Sequence, residues 1–243
     1  MSNSEQTRRS SLPTIELLFR MYSLKSAAPA QAPSLRDVFD RQTLAATRMR
    51  VDGHHTIYAT GAEDDALYLI EAGQVKISMA SEEGKDCLLA IYGAGEVFGE
   101  SCFIGADRRF ETATAMQFTI VRRVSRRELF HEVERAGAME ALLRHLATRL
   151  IDRQTAVFDL ITNDSEQRLA KVLLAVAEKL GKPEGSFLRL ERISHEELSQ
   201  IVGTTRPRIT AFMQRFRTLG LIQTVGRTIS VHRQRTRAFL GRE

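Results

Sequence analysis

The chain has 243 residues, of which 43% are apolar and 27% charged, and a formal net charge of +5. That suits one large or two ordinary globular domains with a real core. No apolar run approaches the ~20 residues that span a bilayer. The opening "MSNSEQTRRSSLP" also lacks the layout of a secretory signal, so a cytoplasmic protein without membrane association is expected.

The charge is unevenly placed. Residues 164–243 carry 15 Lys/Arg against 8 Asp/Glu, whereas residues 1–163 carry 20 against 22. A basic C-terminal third on a near-neutral body fits a nucleic-acid-binding module; it equally fits a solvated basic surface, and charge alone does not separate the two. The only cysteines are Cys87 and Cys102, too few for a disulfide framework or a zinc set, so two free thiols are expected.

In chain order, residues 1–34 are rich in Ser, Ala, Gln and Pro and read as a poorly ordered tail. Short runs of β character follow from about His55 to Val124: "TIYATG", "ALYLIEAG", "QVKISMAS", "DCLLAIYG", "TATAMQ" and "TIVRRVS". Gly61, Gly73, Gly84 and Gly99 punctuate them at near-regular intervals, as corners of a β-roll or barrel would. The period changes from about Ala136. Met139, Leu143, Leu146, Leu150, Arg153, Val157 and Leu160 recur in steps of four and three, a heptad seam with one arginine in it. A helix this long outreaches a small roll, and the seam predicts a homodimer through Met139, Leu143, Leu146, Leu150, Arg153 and Val157. Burial within one chain is the alternative.

"DSEQRLAKVLLAVAEKLG" from Asp164 is an amphipathic helix stopped by Gly181, and a strand "FLRLER" follows it. Ser194 then caps a short helix, with Glu197 three residues on as in a capping box. After the turn "QIVGTT" comes a second helix, and after that two strands around Val225-Gly226-Arg227. Helix, glycine turn, helix and hairpin is the pattern of a winged helix-turn-helix.

In the second helix Ile209, Phe212, Phe216 and Leu219 form the stripe expected to face the core. Thr205 is the expected N-cap, its hydroxyl satisfying a free amide, and Pro207 sits in the first turn, where a missing N–H costs nothing. Arg206 and Arg208 then project from the positive end of the helix. Arginine there opposes the helix dipole unless an anion is present, and it suits guanine edges and phosphates. The residues expected to face double-stranded DNA are Thr204, Thr205, Arg206, Arg208, Thr210, Gln214 and, on the wing, Arg227.

From about Leu35 onward the chain resembles the CRP/FNR family of bacterial transcription regulators. The resemblance rests on the roll glycines, "GEVFGES" at 95–101, the long helix and "ISHEELSQIVGTTRPRITAFMQRFRTLGLI" at 193–222. It implies an α+β chain with three parts: a cyclic-nucleotide-binding-like β-roll effector domain over 35–133, a central dimerisation helix over 134–162, and a C-terminal winged helix-turn-helix over 163–243. It also implies a dimer that reads a palindromic operator, and contact with RNA polymerase if the protein activates. Effector control would act through the hinge near Ile161–Asp164.

The resemblance directs attention to Gly99, Glu100, Ser101, Arg108, Arg109, Arg153 and Gln154 as effector-binding candidates. Arg109 aligns with the phosphate arginine of members that bind cyclic AMP, but Phe110 stands at the following serine position. Arg153 and Gln154 stand where those members keep threonine and serine. These departures argue for a small-molecule effector other than cyclic AMP, or for none. Glu100 has a plainer reading as the partner of Arg108 or Arg109. Arg153 in an apolar seam calls for an acidic partner or an anionic effector.

On the DNA helix, Pro207 and Ala211 replace a glutamate and an arginine of the cyclic-AMP-binding members, so an operator other than TGTGA is expected. An iron–sulfur sensor would need N-terminal cysteines, and none precedes Cys87. The six histidines (54, 55, 131, 145, 195 and 232) show no haem-ligating arrangement. Cys102 reads either as a redox switch or as a small buried hydrophobe. No nucleophile–base set, metal set or Gly-rich phosphate loop points to an enzyme. The rival class is a ligand-binding module that acts through a protein partner, and a steep salt dependence of DNA binding would separate the two; a cyclic-nucleotide-responsive regulator is the other alternative.

Overall fold

The computed structural model describes residues 34–105, 108–191 and 193–241, so the expectation for the N-terminal tail up to residue 33 lies outside the described residues. Ser34 caps a short helix α1 (Leu35–Phe39) in a reciprocal capping box with Asp37.

Eight strands follow: β1 Thr47–Val51, β2 Thr56–Tyr58, β3 Ala66–Ala72, β4 Gln74–Ala80, β5 Asp86–Gly93, β6 Val97–Phe98, β7 Thr112–Ala115 and β8 Thr119–Ser125. They form two antiparallel four-stranded sheets, ordered β1-β8-β3-β6 and β2-β7-β4-β5. Tyr58, Tyr68, Ile70, Val75, Ile77, Phe98 and Val121 are buried together as one core of this roll. The six expected strands are all present. The two further ones have weak signals: "TRMRV" is rich in charge, and β6 is two residues long.

The expected long helix is present as one helix, and a shorter helix that the strand and heptad patterns do not mark precedes it. Helix α2 (Arg126–Arg135) is capped by Ser125, and α3 (Met139–Thr162) follows a break at Gly137, where φ is 62°. At 1.5 Å per residue α3 is about 36 Å long. Its first two turns pack Ala141 and Leu142 against the roll, and beyond them it leaves apolar side chains in solvent.

The C-terminal region holds α4 (Ser165–Leu180), β9 (Lys182–Glu184), β10 (Phe187–Glu191), α5 (His195–Val202), α6 (Arg206–Thr218), β11 (Ile222–Val225), β12 (Thr228–His232) and α7 (Arg233–Leu240). Strands β11-β12-β10-β9 make the wing sheet. Strand β9 lies in "KPEGS", a loop by composition, and arginines fill much of α7, which hides its helical pattern. Leu169, Leu173, Leu198, Ile209, Met213, Phe216 and Val231 form the core of this region, and Leu88, Ile91 and Met116 of the roll are buried in the same cluster. Among the described residues no helix is long and apolar enough to cross a membrane.

Candidate DNA-reading face and effector pocket

Helix α5 starts on a complete capping box. Ser194 Oγ accepts from the Glu197 amide at 3.1 Å, and the Glu197 carboxylate accepts from the Ser194 amide at 2.9 Å. The helix ends at Gly203, whose φ of 69° lies in the left-handed region that an L side chain adopts only with strain. That turn aims α6 across α5. The buried row of α6 is Ile209, Met213 and Phe216, one face at i, i+4 and i+7, while Phe212 is only partly buried and Leu219 is 45% exposed. The expected stripe through Leu219 is therefore corrected by one helical row.

Thr205 occupies the N-cap position but makes no side-chain capping bond, contrary to expectation. A cap hydroxyl takes the amide of the second or third helical residue, and the second here is Pro207, which has none. The backbone closes the turn instead, with the Ile209 amide donating to Thr205 O at 3.1 Å.

Arg206 and Arg208 are both exposed, and Arg208 lies over the Phe212 ring at 5.7 Å, which steadies its guanidinium. Gln214 is exposed, Thr204 half-buried, and Arg227 exposed beside Gly226 at the wing tip. The Thr210 hydroxyl is already engaged, with Arg206 O and with His195 Nδ1, each at 3.1 Å. His195 is an addition to the expected set. Burial first, then the charges of Arg206 and Arg217, push its pKa below the ordinary histidine value. It helps line a cleft of about 710 Å³ between α5, the wing and the roll residues His54 and Lys76.

The roll has its own cavity, of about 240 Å³, lined by Tyr58, Ile77, Leu89, Tyr92, Gly99, Glu100, Ser101, Glu111, Arg149 and Arg153. Gly99 starts the turn that carries Glu100 and Ser101. Its φ is 94°, and a Cβ there would lie 2.9 Å from Ala66 O, so the close approach requires glycine. Glu100 is held by two groups of α3, Arg149 Nε at 2.9 Å and His145 Nε2 at 2.7 Å. Burial opposes its charge, but the His145 hydrogen bond and Arg149 outweigh it and hold the carboxyl at about 2. The expected partners Arg108 and Arg109 are thus corrected to Arg149 and His145.

Arg109 is 2% exposed, and all five of its N–H donors are taken. Nε and Nη2 reach Asp64 at 3.0 and 2.6 Å, Nη1 reaches Gly99 O at 2.7 Å and Ser101 Oγ at 3.2 Å, and Nη2 also contacts Ala66 O. Its guanidinium lies 4.2 Å over the Tyr58 ring. Asp64 in turn accepts from Arg123 at 2.7 Å and Tyr68 at 2.8 Å. Burial would raise the Asp64 pKa, but Arg109 and Arg123 hold it below the ordinary carboxylate range.

Arg108 lies outside the pocket, exposed beside Glu63 and Gly61 O, and Gln154 is exposed on α3. Arg153 is in the pocket, donating to Leu89 O at 2.6 Å and Tyr92 OH at 3.4 Å. Glu111 joins the site although the resemblance points to its neighbour Phe110, which is 49% exposed. Cys102 is buried, and burial pushes its thiol up to about 12, which favours the small buried hydrophobe of the two readings.

Besides the shared apolar cluster, polar contacts tie the roll to the C-terminal region, among them Lys179 Nζ donating to Ile91 O at 2.9 Å. Lys76 Nζ meets Glu197 at 2.9 Å. Glu96 faces Arg149 at 3.6 Å and Lys179 of α4 at 2.8 Å, and the same two cations stand over the Tyr92 ring at 4.1 and 4.6 Å.

A β-roll with a pocket behind a Gly-Glu turn, a long helix and a winged helix-turn-helix together define a DNA-binding transcription regulator. The chain belongs to the CRP/FNR family. Residues 48–136 match the cyclic nucleotide-binding domain model and residues 167–235 the Crp-like helix-turn-helix domain model. Over 181 residues the chain is 35% identical to the CRP-like cAMP-activated global transcriptional regulator of Mycobacterium tuberculosis, covering 73% of this chain and 80% of that one. It is 26% identical over 188 residues to the global nitrogen regulator of Synechococcus elongatus, covering 76% and 82%. Among solved structures, a CRP-family transcriptional regulator from Thermus thermophilus superposes with a TM-score of 0.69 at 26% identity, over 79% of this chain and 96% of that one. FixK2 of Bradyrhizobium japonicum shares the fold, with a TM-score of 0.71 at 21% identity over 80% and 97%.

The family implies a cyclic nucleotide in the roll, and the residues present do not fit its phosphate. The arginine at the phosphate position has no free donor, and a carboxylate, Glu111, stands beside it.

Proposed function

We propose that the protein is a homodimeric, sequence-specific transcription regulator that is not an enzyme and works in the cytoplasm, with 35–133 as effector domain, 134–162 as dimerisation segment and 163–243 as DNA-binding domain. The observation that carries the DNA half is the pair of exposed guanidinium groups, Arg206 and Arg208, on the first turn of the second helix of a helix-turn-helix. Thr204, Thr205, Gln214 and Arg227 border them, and Thr210 acts as a positioned hydroxyl rather than a free one. Two such helices, held by paired α3 helices, would enter successive major grooves of a palindromic site about 34 Å apart. As an activator it would also contact RNA polymerase.

Dimerisation is supported by the exposed apolar residues of α3. Leu143 (59%), Leu150 (60%), Val157 (56%) and Ile161 (78%) lie open to solvent, a stripe whose natural cover is a second copy. Met139 begins the stripe. Leu146 packs against the chain's own roll and Arg153 points into its own pocket, so the second row of the seam runs through Ala147, Gln154 and Ile161.

The effector is a small molecule other than cyclic AMP, bound in the cavity behind Glu100 and Ser101, or the protein acts without one. A bound effector shifts the orientation of the DNA-binding domains about Ile161–Asp164 only by as much as it prefers one state. A gel shift on genomic fragments tests the reading. Arg206→Ala is expected to weaken specific binding by roughly 10–100-fold, and Arg208→Ala to lower the salt slope by about one. Parent-like affinity and selectivity in both variants would overturn the assignment of α6.

A further inference from the structure

We infer that Glu111 is the specificity-determining residue of the roll pocket. It fills the place of an anionic ligand group and restricts the effector to a molecule that offers N–H or O–H donors, neutral or cationic, at that end. The inference rests on the reading of this cavity as the effector site.

Three observations carry it. Ser101 Oγ lies between two groups, 3.2 Å from Arg109 Nη1 and 2.8 Å from Glu111 Oε1, so the carboxylate stands at the end of the cavity where Arg109 approaches the Gly99 turn. The hydroxyls that would have met a ligand anion there are spent on Glu111, from Ser101 at 2.8 Å and from Tyr58 at 3.0 Å. Arg109, held by Asp64 and three further acceptors, has nothing left to donate.

Among the described residues no cation pairs with Glu111, and its second oxygen has no hydrogen-bond partner. A phosphate entering at that end would therefore meet a like charge in a partly desolvated cavity with no free guanidinium N–H beside it, since Arg109 is fully engaged and Arg149 and Arg153 line other parts of the wall. A donor group would complete the carboxylate's shell. Across the cavity Arg153 keeps donors beyond those given to Leu89 O and Tyr92 OH, which leaves a polar acceptor on the ligand a place to bind away from Glu111.

The test is calorimetry on the full chain with cyclic AMP and with adenosine, which lacks the phosphate, using wild type, Glu111→Gln and Glu111→Ala. Glu111→Gln keeps an acceptor for Ser101 and Tyr58 and removes only the charge, so it retains the fold; an unchanged unfolding midpoint checks this. The expected result is cyclic AMP binding at least about tenfold tighter in Glu111→Gln than in wild type, with adenosine changed less than about twofold. Three results overturn the inference: wild type binding cyclic AMP as tightly as the variant, neither variant gaining, or an equal gain for adenosine. Loss of the DNA-binding reading in the gel shift leaves this comparison standing, so the two fail separately.

Discussion

Lys76 on β4 and Glu197 on α5 stand 121 positions apart in the chain and 2.9 Å apart in space, with side chains 23% and 12% exposed. The same carboxylate closes the capping box of α5 through the Ser194 amide and hydroxyl. One side chain thus both starts the first helix of the DNA-binding motif and docks that motif on the roll.

Removing either partner separates these roles. Lys76→Ala is expected to cost about 1.5–3 kcal/mol in urea unfolding, the range for a charged hydrogen bond. Glu197→Ala is expected to cost more, because the cap is lost and Lys76 is left half-buried without its acid. Equal losses would mean that the cap adds nothing. Small-angle scattering is expected to show a wider spread of domain positions for both variants.

Glu100 sets an acid limit. Its pKa in the fold, about 2, lies below that of the unfolded chain, so its contribution is fully present above about pH 4.5 and is lost as pH falls toward 2. The shift corresponds to roughly 3 kcal/mol. Wild type is expected to lose more stability than Glu100→Gln between pH 5 and pH 3 in parallel urea titrations; identical losses would contradict the assignment.

Asp64 neutralises a guanidinium that water hardly reaches. Asp64→Ala leaves Arg109 and Arg123 without their shared acid, and a loss of about 3–5 kcal/mol is expected, with a falling melting temperature as the readout. A change below about 1 kcal/mol would mean that the carbonyls around Arg109 suffice.

The two thiols should differ sharply toward a thiol reagent. Cys87 is exposed and Cys102 buried with its thiol raised to about 12. One thiol per chain is expected to react at once in the native state, and the second only at the rate of unfolding. Rapid titration of both would place Cys102 in a far more open environment.

Much of this architecture is legible because local pattern and tertiary outcome agree. The Ser194–Glu197 spacing forecasts a capping box, and that box forms. Alternating apolar runs mark six strands of the roll. The site is less legible because its pairings are long-range. Asp64 meets Arg109 across 45 positions and Glu100 meets Arg149 across 49, and nothing in a local pattern links them. Heptad counting sets Leu146 and Arg153 on the expected dimer seam, whereas in the structure Leu146 packs on the roll and Arg153 donates to Leu89 O; the solvent-facing and roll-facing rows of α3 differ by only one residue. Only the position of the roll decides between them. Arg149 falls between the counted positions, and the one local signal for it is an arginine four residues after His145 on a helix.

Glu96 has two suitors. Arg149, which also grips Glu100 in the pocket wall, and Lys179, which belongs to the DNA-binding domain, share this carboxylate and the face of Tyr92. Each takes its own oxygen, Arg149 Nη1 facing Oε1 at 3.6 Å and Lys179 Nζ facing Oε2 at 2.8 Å, so the carboxylate holds both at once. The wall of the pocket and the reading head are thereby riveted together through one acidic side chain.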